Sequence, residues 1–353
     1  MATGLDTNPL ARLAASVKTT PLESGGLLRS LDGVLSSAGP SRPLGQAAAR
    51  RLKYWFHPHA LREIEMLRSA IEHINETAVR SFLELSLSAT ARAVSLADPR
   101  IAVPVRLRSD QYEAGHRLRD STVRRLSMLR HTEARAVFAT IARDNIRRVA
   151  SLSTELPPAR VLDGDARDLA ASLTAESVDC VITSPPYLGA QKYIRACSLS
   201  LLALGLGEDG DLRPLIARSV GREHFRKSEV AQGLSSGVPA ADEIVERCRE
   251  TNPLRAHLAA VYLREMREAL VGIAVALRPG GHLVLVAGPN QLVGEAFATP
   301  NYLTTIAVEQ GLVVKLVVLD TIRSRGLMTR RNRSASVISH ETVTVLSKPG
   351  QHD

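Results

Sequence analysis

The stretch VDCVITSPPYLGAQKY, from Val178 to Tyr193, sets an extended apolar segment directly before two prolines. Its first six residues are rich in β-branched side chains and predict a buried strand. Pro185 and Pro186 lack a backbone N–H and have a fixed φ, so they end the strand and stiffen the chain. Ligands of open α/β sheets bind outside the carboxyl ends of the strands, which is where these prolines fall. The stretch therefore predicts a binding corner at the end of a sheet strand.

Ser184 and Tyr187 flank the two prolines and give this corner its predicted chemistry. The Ser184 hydroxyl and the Pro185 carbonyl are hydrogen-bond acceptors on a stiff backbone, and the Tyr187 ring is a flat face. Two acceptors beside an aromatic ring suit the exocyclic amine of cytosine or adenine. Holding both N–H groups would aim the nitrogen lone pair at a methyl donor, which is catalysis by orientation and electrostatics. In duplex DNA the base must first be flipped out, and Tyr187 would stack on it.

Strand and helix patterns alternate along the chain, which predicts an α/β fold with a doubly wound, mostly parallel sheet. The expected strands are 2–6, 159–163, 178–183, 282–288, 312–320 and 341–348, with the last two forming an antiparallel hairpin. Helices are expected after the Asn8-Pro9 cap, at 61–74, 78–96, 193–204 and 254–277, and through 137–146. The region 61–146 has helix patterns only, which predicts a helical insertion. A loop is expected at 19–45, and RPGG at 278–281 is expected to stop the long helix.

Charge and cysteine content restrict the classes of protein that the chain can belong to. The 353 residues carry a formal net charge of +9, which favours a polyanion such as nucleic acid, although an arginine-rich composition could account for the total. The predicted nucleic-acid contacts are Arg222, Arg226, Lys227, Arg325, Arg330 and Arg331. Three widely spaced cysteines indicate a reducing compartment, the cytoplasm, and no disulfide or zinc framework. No metal site, signal peptide or membrane span is expected.

The motif and its surroundings resemble the DNA amino-methyltransferases, which make N4-methylcytosine or N6-methyladenine. TSPPY after an apolar strand resembles their catalytic motif, and serine in first place resembles the N4-cytosine subgroup. Further matches are VLDGDARDL at 161–169, LRPGGHLVLVAG at 277–288, the segment 4–22 and the ending around ISHETVTVLSK. The resemblance implies a class I, Rossmann-like fold that uses S-adenosyl-L-methionine to methylate specific sites in double-stranded DNA, alone or beside a restriction enzyme. It assigns catalysis to Ser184, Pro185, Pro186 and Tyr187.

The same resemblance implies cofactor-binding residues and domain boundaries. Asp6, with Asn8 beside it, would hold the ribose, and Asp165 would lie near the adenine, with Asp163 and Asp168 as competitors for that role. The implied domains are 1–22, part of the cofactor-binding half; 23–155, the helical insertion or cap; and 156–350, the catalytic core. Within the core, the polar segment 205–252 is expected to be mobile and to face DNA.

One expected element is missing from the sequence. The family binds the methionine part of its cofactor with a glycine-rich turn resembling DPFxGSGT, which should precede Gly4. Three explanations stay open: a second polypeptide supplies this first strand and turn, the true start lies upstream of Met1, or the gene is a degraded remnant. The rival functions are accordingly a non-catalytic DNA-binding half of a split or degenerate methyltransferase, and an RNA base N-methyltransferase.

Overall fold

The computed structural model describes residues 1–37, 44–152, 159–188, 192–207, 210–222, 225–231, 233–323 and 338–350. The chain divides into two compact units. The first, here called the helical unit, comprises Met1–Asp163 and Tyr193–Ile216, and the second, the sheet unit, comprises Gly164–Lys192 and Ala217–Asp353. These units describe packing, and the functional boundaries at 22 and 155 stay predictions. No helix in the described ranges is long and apolar enough to cross a membrane.

The helical unit contains a small parallel sheet and most of the helices. Strands β1, Ala2–Asp6, and β2, Ala159–Asp163, pair in parallel, with Asp6 opposite Asp163 at their carboxyl ends. The helices are α1 Pro9–Thr19, α2 Ser24–Ser36, α3 Gln46–Lys53, α4 Pro58–Glu72, α5 Thr77–Val94, α6 Arg119–Leu129, α7 Ala134–Val149, α8 Tyr193–Ala196 and α9 Ser198–Ala203, followed by α10 Arg213–Arg218. Both strands, α4, α5 and α7 confirm the sequence-based expectations.

Helix α2 corrects the expectation of a loop over 19–45. Its first turn contains Gly25 and Gly26, which weaken a helix pattern. The carboxylate of Glu23 compensates by accepting hydrogen bonds from both of these backbone N–H groups, at 2.7 and 2.5 Å. Leu27, Leu31 and Val34 then recur on one face and are buried in the core. Capping and apolar burial therefore outweigh the low intrinsic helix propensity of this segment.

A continuous apolar core fills the helical unit. Helix α5 packs against α1, α4, α7 and α9, and its Phe82 and Leu87 are fully buried. Phe138 of α7 is fully buried in the same core, as is Ile64 of α4. In α4 the buried residues Leu61, Ile64, Leu67 and Ile71 recur at three- and four-residue spacing, so this helix presents one apolar face to its neighbours.

The sheet unit is built on a mixed four-stranded sheet in the order β3-β4-β8-β7. Strands β3 and β4 are parallel, whereas β8 is antiparallel to both β4 and β7. The strands are β3 Val178–Thr183, β4 Leu277–Ala287, β5 Asn290–Leu292, β6 Glu295–Phe297, β7 Val313–Thr321 and β8 His340–Ser347, and the helices are α11 Pro239–Thr251, α12 Pro253–Ala276 and α13 Thr299–Glu309. The fold is therefore mixed α/β with parallel and antiparallel pairing, and the antiparallel β7–β8 pair was expected.

Two features of the sheet unit were not predicted. Helix α12 ends at Ala276, within one residue of the expected end, but β4 begins at Leu277 instead of at His282, so the sequence RPGG lies inside a strand. Within 205–252, α11 buries Ala241, Val245 and Cys248 and packs against α12. Part of the segment expected to be mobile is thus a packed helix, and its orientation towards DNA stays a prediction.

Candidate functional site

The predicted corner lies at the carboxyl end of β3, directly after Thr183. Ser184 is exposed, Pro185 is buried, and Pro186 and Tyr187 are half-buried. The prolines therefore anchor the corner in the sheet unit while the serine hydroxyl stays accessible to a ligand. The exposure of Ser184 is compatible with the sequence-based hypothesis, and the catalytic roles of Ser184, Pro185, Pro186 and Tyr187 stay predictions.

Tyr187 is held in place by residues from two neighbouring strands. Its hydroxyl donates a hydrogen bond to the carboxylate of Glu341, near the start of β8. Its ring lies against Gly288, just after β4, where an added Cβ would sit 3.0 Å from the ring atom Cε1 and 3.2 Å from Ile338 Cδ1. The side-chain amide of Asn290 donates to the carbonyl of Leu188. The hydrogen bond to Glu341 and the packing against Gly288 orient the Tyr187 ring, and the Asn290 contact holds the next residue, Leu188.

Sequence reasoning missed Glu341, Gly288 and Asn290 as parts of this corner. Glu341 is 154 positions from Tyr187 in the chain, so no local pattern links the two residues. The available signal was topological. An antiparallel strand begins where its parallel neighbours end, so the first residues of the last strand were candidates for this edge.

Asp165 begins the short 3₁₀ helix Ala166–Ala171 and is engaged by Arg167. Its Oδ1 accepts from the backbone N–H of Arg167 at 3.0 Å and from Nε at 2.9 Å, and its Oδ2 accepts from Nη2 at 2.6 Å. Arg167 Nη1 also donates to Glu265 Oε1 of α12 at 2.6 Å. The structure therefore gives Asp165 a structural role as a helix cap and ion-pair partner. Its predicted contact with the cofactor adenine stays a prediction.

The pKa values of the two carboxyl groups that contact Arg167 are shifted in opposite directions. Burial alone would raise the pKa of Asp165, but the hydrogen bonds and charge of Arg167 outweigh burial and hold this pKa below its ordinary value. Burial raises the pKa of Glu265 above its ordinary value, although the Gly221 N–H, which donates to Oε2 at 2.8 Å, and Arg167 oppose it. The Gly221 N–H and Arg167 therefore favour the ionised form of Glu265, against the effect of burial.

In the helical unit, Asp6 and Asn8 lie at the carboxyl end of β1. The backbone N–H of Asn8 donates to Asp6 Oδ1 at 2.7 Å, and Asn8 Oδ1 caps α1 by accepting from the Leu10 N–H at 3.0 Å. Asp6 is exposed. Asp163, the competitor of Asp165, instead pairs with Arg12 at 3.1 Å. Asp6 is thus an oriented, accessible carboxylate, whereas the Asn8 side-chain oxygen is used by the helix.

Among the predicted DNA contacts that the structure describes, some basic side chains are already paired and others are exposed. Arg222 Nη2 lies 3.0 Å from Glu229 Oε1, and its guanidinium carbon lies 4.0 Å from the centre of the Phe225 ring. Arg226 is exposed, and Lys227 begins a second 3₁₀ helix. Arg222 is therefore already paired, which leaves Arg226 as the more accessible charge. Arg325, Arg330 and Arg331 lie outside the described residues.

A basic cavity in the helical unit was not predicted. It has a volume of about 540 Å³ and is lined by Lys53, Phe56, His57, Pro58, Leu61, Arg62, Glu65, Leu96 and Arg106. At its rim the Arg106 guanidinium lies 4.5 Å from the ring centre of the exposed Tyr54. Burial, followed by the charges of His59, Arg130, Arg106 and His131, lowers the pKa of His57. The cavity is therefore a concentration of positive charge beside an exposed aromatic ring.

Within the described ranges, no group of three or more His, Cys, Asp or Glu side chains is placed to hold a metal ion. No protein-family model matches the sequence, and no curated protein matches it.

Solved structures of TTHA0409, a "Putative DNA Modification Methylase from Thermus thermophilus", are similar to part of the chain. One has 16% sequence identity and a TM-score of 0.28, covering 54% of this chain and 54% of that chain. Its selenomethionine derivative has 17% identity and a TM-score of 0.26 over 53% and 51%. The complex with S-adenosyl-L-methionine has 17% identity and a TM-score of 0.29 over 54% and 55%. The chain spans about half the length of these structures, and at such TM-scores the likeness has no bearing on fold or function.

Proposed function

We propose that this chain is the catalytic part of a DNA amino-methyltransferase with a class I, doubly wound fold. It would transfer a methyl group from S-adenosyl-L-methionine to an exocyclic base amine at specific sites, with N4 of cytosine preferred over N6 of adenine. A companion restriction enzyme fits the same activity. The observation that carries the proposal is the corner after β3, where exposed Ser184 follows the strand and Tyr187 is fixed beside it by Glu341 and Gly288.

In the proposed mechanism, the corner orients the amine of a flipped base. The Ser184 hydroxyl and the Pro185 carbonyl accept its two N–H groups, and the Tyr187 ring packs on the base. The amine nitrogen then directs its lone pair outward from these acceptors. S-adenosyl-L-methionine, when bound, supplies an electrophilic methyl group on a sulfonium. When the methyl group passes from sulfur to nitrogen and leaves a neutral thioether, positive charge would develop on the nitrogen, and Ser184 Oγ would stabilise it until one N–H proton leaves to water.

The residues that would hold the cofactor fit it unequally. The exposed Asp6 carboxylate is oriented by the Asn8 N–H through Oδ1. A carboxylate has about four acceptor sites on two oxygens, so Asp6 can also accept both ribose hydroxyls. Asp165 fits less well because Arg167 already occupies both of its oxygens. The hydrogen bonds therefore support ribose binding by Asp6 more strongly than they support adenine binding by Asp165.

The proposed substrate, double-stranded DNA, requires positive surface outside the corner. The basic cavity bounded by Lys53, Arg62 and Arg106 supports a contact between the helical unit and backbone phosphates. Arg226 supports a second contact, from the sheet unit. Phosphate contacts give affinity and register, whereas base selection would come from the corner itself.

We also propose that a second polypeptide supplies the first strand and the glycine-rich turn. The support is that β3 lies at the edge of its sheet and is paired only with β4 among the described strands. Without that turn the chain would keep the base pocket but lack the methionine site. It would then correspond to the alternative function, a non-catalytic DNA-binding half.

The proposal is tested by isolating the tagged chain from its source organism, together with whatever it binds there. The substrate is genomic DNA from a strain in which the gene is deleted, so that every target site is unmethylated. S-adenosyl-L-methionine with a deuterated methyl group separates new product from old, and the DNA is digested to nucleosides for mass spectrometry. Labelled N4-methylcytosine is expected, and Ser184→Ala is expected to lower its formation at least about 100-fold.

The control is Ser177→Ala, which changes an exposed serine just before β3, at the opposite end of that strand from the corner, and should leave the rate unchanged. Labelled N6-methyladenine would correct the base preference and keep the reaction. Labelled RNA bases in place of DNA bases would favour the rival RNA enzyme. Absence of any labelled base, or equal labelling by Ser184→Ala, would contradict the proposed activity.

A further inference from the structure

Two segments of the helical unit enclose the basic cavity described above. One runs from the end of α3 into the first two turns of α4, and the other contains Leu96 and Arg106. The Leu96 N–H donates to the carbonyl of Trp55 at 2.7 Å, and the Leu107 N–H donates to the carbonyl of Leu96 at 2.8 Å. An isolated antiparallel bridge joins Ala97 to Arg106. Backbone hydrogen bonds therefore hold the two walls together, so the cavity does not need a ligand to form.

The cations that line the cavity are not neutralised by carboxylates of the protein. In the described part of the chain, Lys53, Arg62 and Arg106 take part in no ion pair. By contrast, Arg68, on the same helix as Arg62, pairs with a carboxylate. Among the described residues that line the cavity, Glu65 alone carries a carboxylate. Three unpaired cations and one carboxylate leave an excess of positive charge, which favours an anionic ligand.

The inner wall of the cavity is apolar. Phe56, Leu61 and Leu96 line it and are at most 6% exposed, whereas Lys53 and Arg62 are exposed. The volume of about 540 Å³ falls in the range of about 300–1,000 Å³ that small-molecule sites occupy. The cavity thus offers an apolar interior and a charged opening, and its ligand should combine an apolar part with an anionic group.

His57 adds a polar group to this wall without adding charge. Its Nε2 is buried, and no described residue makes a hydrogen bond with it. Burial and the neighbouring charges of His59, Arg130, Arg106 and His131 lower the pKa of His57, so its neutral ring predominates at pH 7. A neutral imidazole donates a hydrogen bond at one nitrogen and accepts one at the other. The wall therefore has hydrogen-bonding capacity for the polar edge of a ring.

An exposed aromatic ring lies at the opening of the cavity. Tyr54 is 54% exposed, and the Arg106 guanidinium lies 4.5 Å from the centre of its ring. Trp55 meets the Tyr54 ring edge to face, with the ring centres 5.1 Å apart. Aromatic rings and guanidinium planes are surfaces on which unstacked bases pack in single-stranded nucleic acids. The opening therefore places a stacking surface next to unpaired positive charge.

A nucleotide whose base is unstacked has the two parts that the cavity selects. Inorganic phosphate would use the cations and leave the apolar wall empty. In a duplex, the phosphates can reach the charged opening, but the bases stay paired and stacked inside the double helix. The backbone contact proposed above therefore uses only part of the cavity, whereas an unstacked nucleotide uses its charge, its apolar wall and its aromatic ring together.

We infer that the basic cavity is a site for one unstacked nucleotide. The phosphate is held among Lys53, Arg62 and Arg106, and the base packs against the apolar wall beside Tyr54. The nucleotide belongs to a single strand or is free, since both present the same groups to the cavity. The lining residues all lie in the helical unit, and none belongs to the corner after β3, so the inference does not rest on methyl transfer.

The test compares two single strands that carry the same number of phosphates. Fluorescence anisotropy measures binding of the full chain to a fluorescein-labelled oligothymidylate and to a labelled abasic strand of equal length. Thymine has no exocyclic amine, so the corner after β3 is not expected to hold it. We expect the thymidine strand to bind at least about fivefold more tightly than the abasic strand, because only its bases can pack in the cavity.

Competition separates the two sources of the nucleotide. Displacement of the thymidine strand by thymidine monophosphate, at concentrations at which inorganic phosphate has no effect, would identify a free nucleotide as a sufficient ligand. Retention of the strand, with its preference over the abasic strand intact, would identify a single strand as the ligand. Equal displacement by inorganic phosphate and thymidine monophosphate would overturn the inference, because the base would then contribute nothing.

Two variants test whether the nucleotide lies in the cavity. Tyr54→Ala removes the stacking ring, and Arg106→Gln removes a cation beside it. Each should lower the affinity for the thymidine strand at least about fivefold and reduce its preference over the abasic strand. Arg29→Gln removes a charge from a side chain that is 80% exposed on α2 and should leave this preference unchanged. Since Tyr54 is 54% exposed, the circular dichroism melting temperature of Tyr54→Ala should hardly change.

The nucleotide site and the proposed function fail separately. Equal affinity of the wild-type chain for the two strands, or an unchanged preference in both Tyr54→Ala and Arg106→Gln, would overturn the nucleotide site even if Ser184→Ala abolishes methylation. Conversely, a preference that both cavity variants remove, in a chain that forms no labelled methylated base, would keep the nucleotide site and remove the proposed function.

Discussion

The helical unit and the sheet unit differ in how completely they bury their aliphatic side chains. In the helical unit, Phe82 and Phe138 are at most 1% exposed at the centre of a continuous core. In the sheet unit, Ile182 and Leu316 are more than half exposed on an apolar face. The first unit is closed by its own helices, whereas the second has aliphatic strand residues that are exposed on its sheet. This difference shows that exposed apolar surface on a sheet can be located from the register of its strands and the exposure of their side chains.

The largest expected effect comes from opening the closed core. Phe138→Ala should lower the free energy of unfolding by about 3–5 kcal/mol, since it leaves a cavity among fixed neighbours. The corresponding truncation on the exposed side of the sheet, Ile182→Ala, should cost less than about 0.5 kcal/mol, because that side chain is 75% exposed. Urea denaturation followed by far-ultraviolet circular dichroism measures both values. Similar losses for the two variants would mean that Ile182 is covered in the isolated chain.

Breaking the ion pair between Arg167 and Glu265 should produce the next largest loss of stability. Arg167→Met should destabilise the sheet unit by about 3 kcal/mol at pH 7, because the Glu265 side chain, 12% exposed, becomes a buried carboxylate without its cation. The pKa of Glu265 is already raised by burial, so its unpaired charge costs most above that pKa and least when it is protonated.

The pH dependence gives this prediction its control. Lowering the pH towards 5 should recover part of the stability of Arg167→Met, and the double variant Arg167→Met/Glu265→Gln should recover it at pH 7. Asp165 affects the pH dependence of stability in the opposite direction. Its pKa is lowered in the folded state, so it contributes stability above its unfolded pKa, and this contribution is lost as the pH falls through the folded pKa. A loss that is independent of pH and of Glu265→Gln would show that Arg167 acts through packing alone.

Gly288→Ala should produce a smaller effect that is centred on the corner. The added Cβ would lie 3.0 Å from the Tyr187 ring, so either the ring or the end of β4 must shift. We expect a loss of about 1–3 kcal/mol in the free energy of unfolding and a larger relative loss of methylation. Tyr187→Phe removes only the hydroxyl that donates to Glu341 and serves as the control. Unchanged methylation in Gly288→Ala would show that the ring position is not required.

The smallest expected effect concerns the basic cavity of the helical unit. Arg106→Glu should weaken binding to a duplex of random sequence severalfold and reduce the slope of log affinity against log salt by about 0.9 for each phosphate that the variant no longer neutralises. Arg29→Glu makes the same charge change at a side chain that is 80% exposed on α2 and should leave the slope unchanged. Fluorescence anisotropy at several salt concentrations measures both slopes. Equal slopes for the two variants would place the DNA contact elsewhere.

Local sequence signals predicted those elements that depend on neighbouring residues. The strand before Asp6, the Asn8-Pro9 cap and the strand leading into Ser184 were expected and are present. Helix α2 was missed because its support comes from the Glu23 cap and from burial of Leu27 and Leu31, which outweigh two glycines. The start of β4 was missed because Gly280 and Gly281 favour a stop in a helix pattern but are compatible with a strand.

The candidate site was predictable where it is continuous in sequence and unpredictable where it depends on tertiary contacts. The motif itself identified Ser184 to Tyr187. The partners of Tyr187 and the pairing of Arg167 with Glu265 join residues 154 and 98 positions apart, which a single sequence does not connect. The exposed aliphatic side chains of the sheet could not be predicted either, since aliphatic strands look the same whether or not they are covered.

The most direct test of the central claim is the methylation pattern of the source genome. The gene is replaced in its chromosomal position by the Ser184→Ala allele, so that any natural partner stays present, and single-molecule sequencing compares modified bases with wild type. The account predicts that one short sequence motif loses N4-methylcytosine throughout the genome while the protein accumulates normally. An unchanged pattern of modified bases in the Ser184→Ala strain would contradict it.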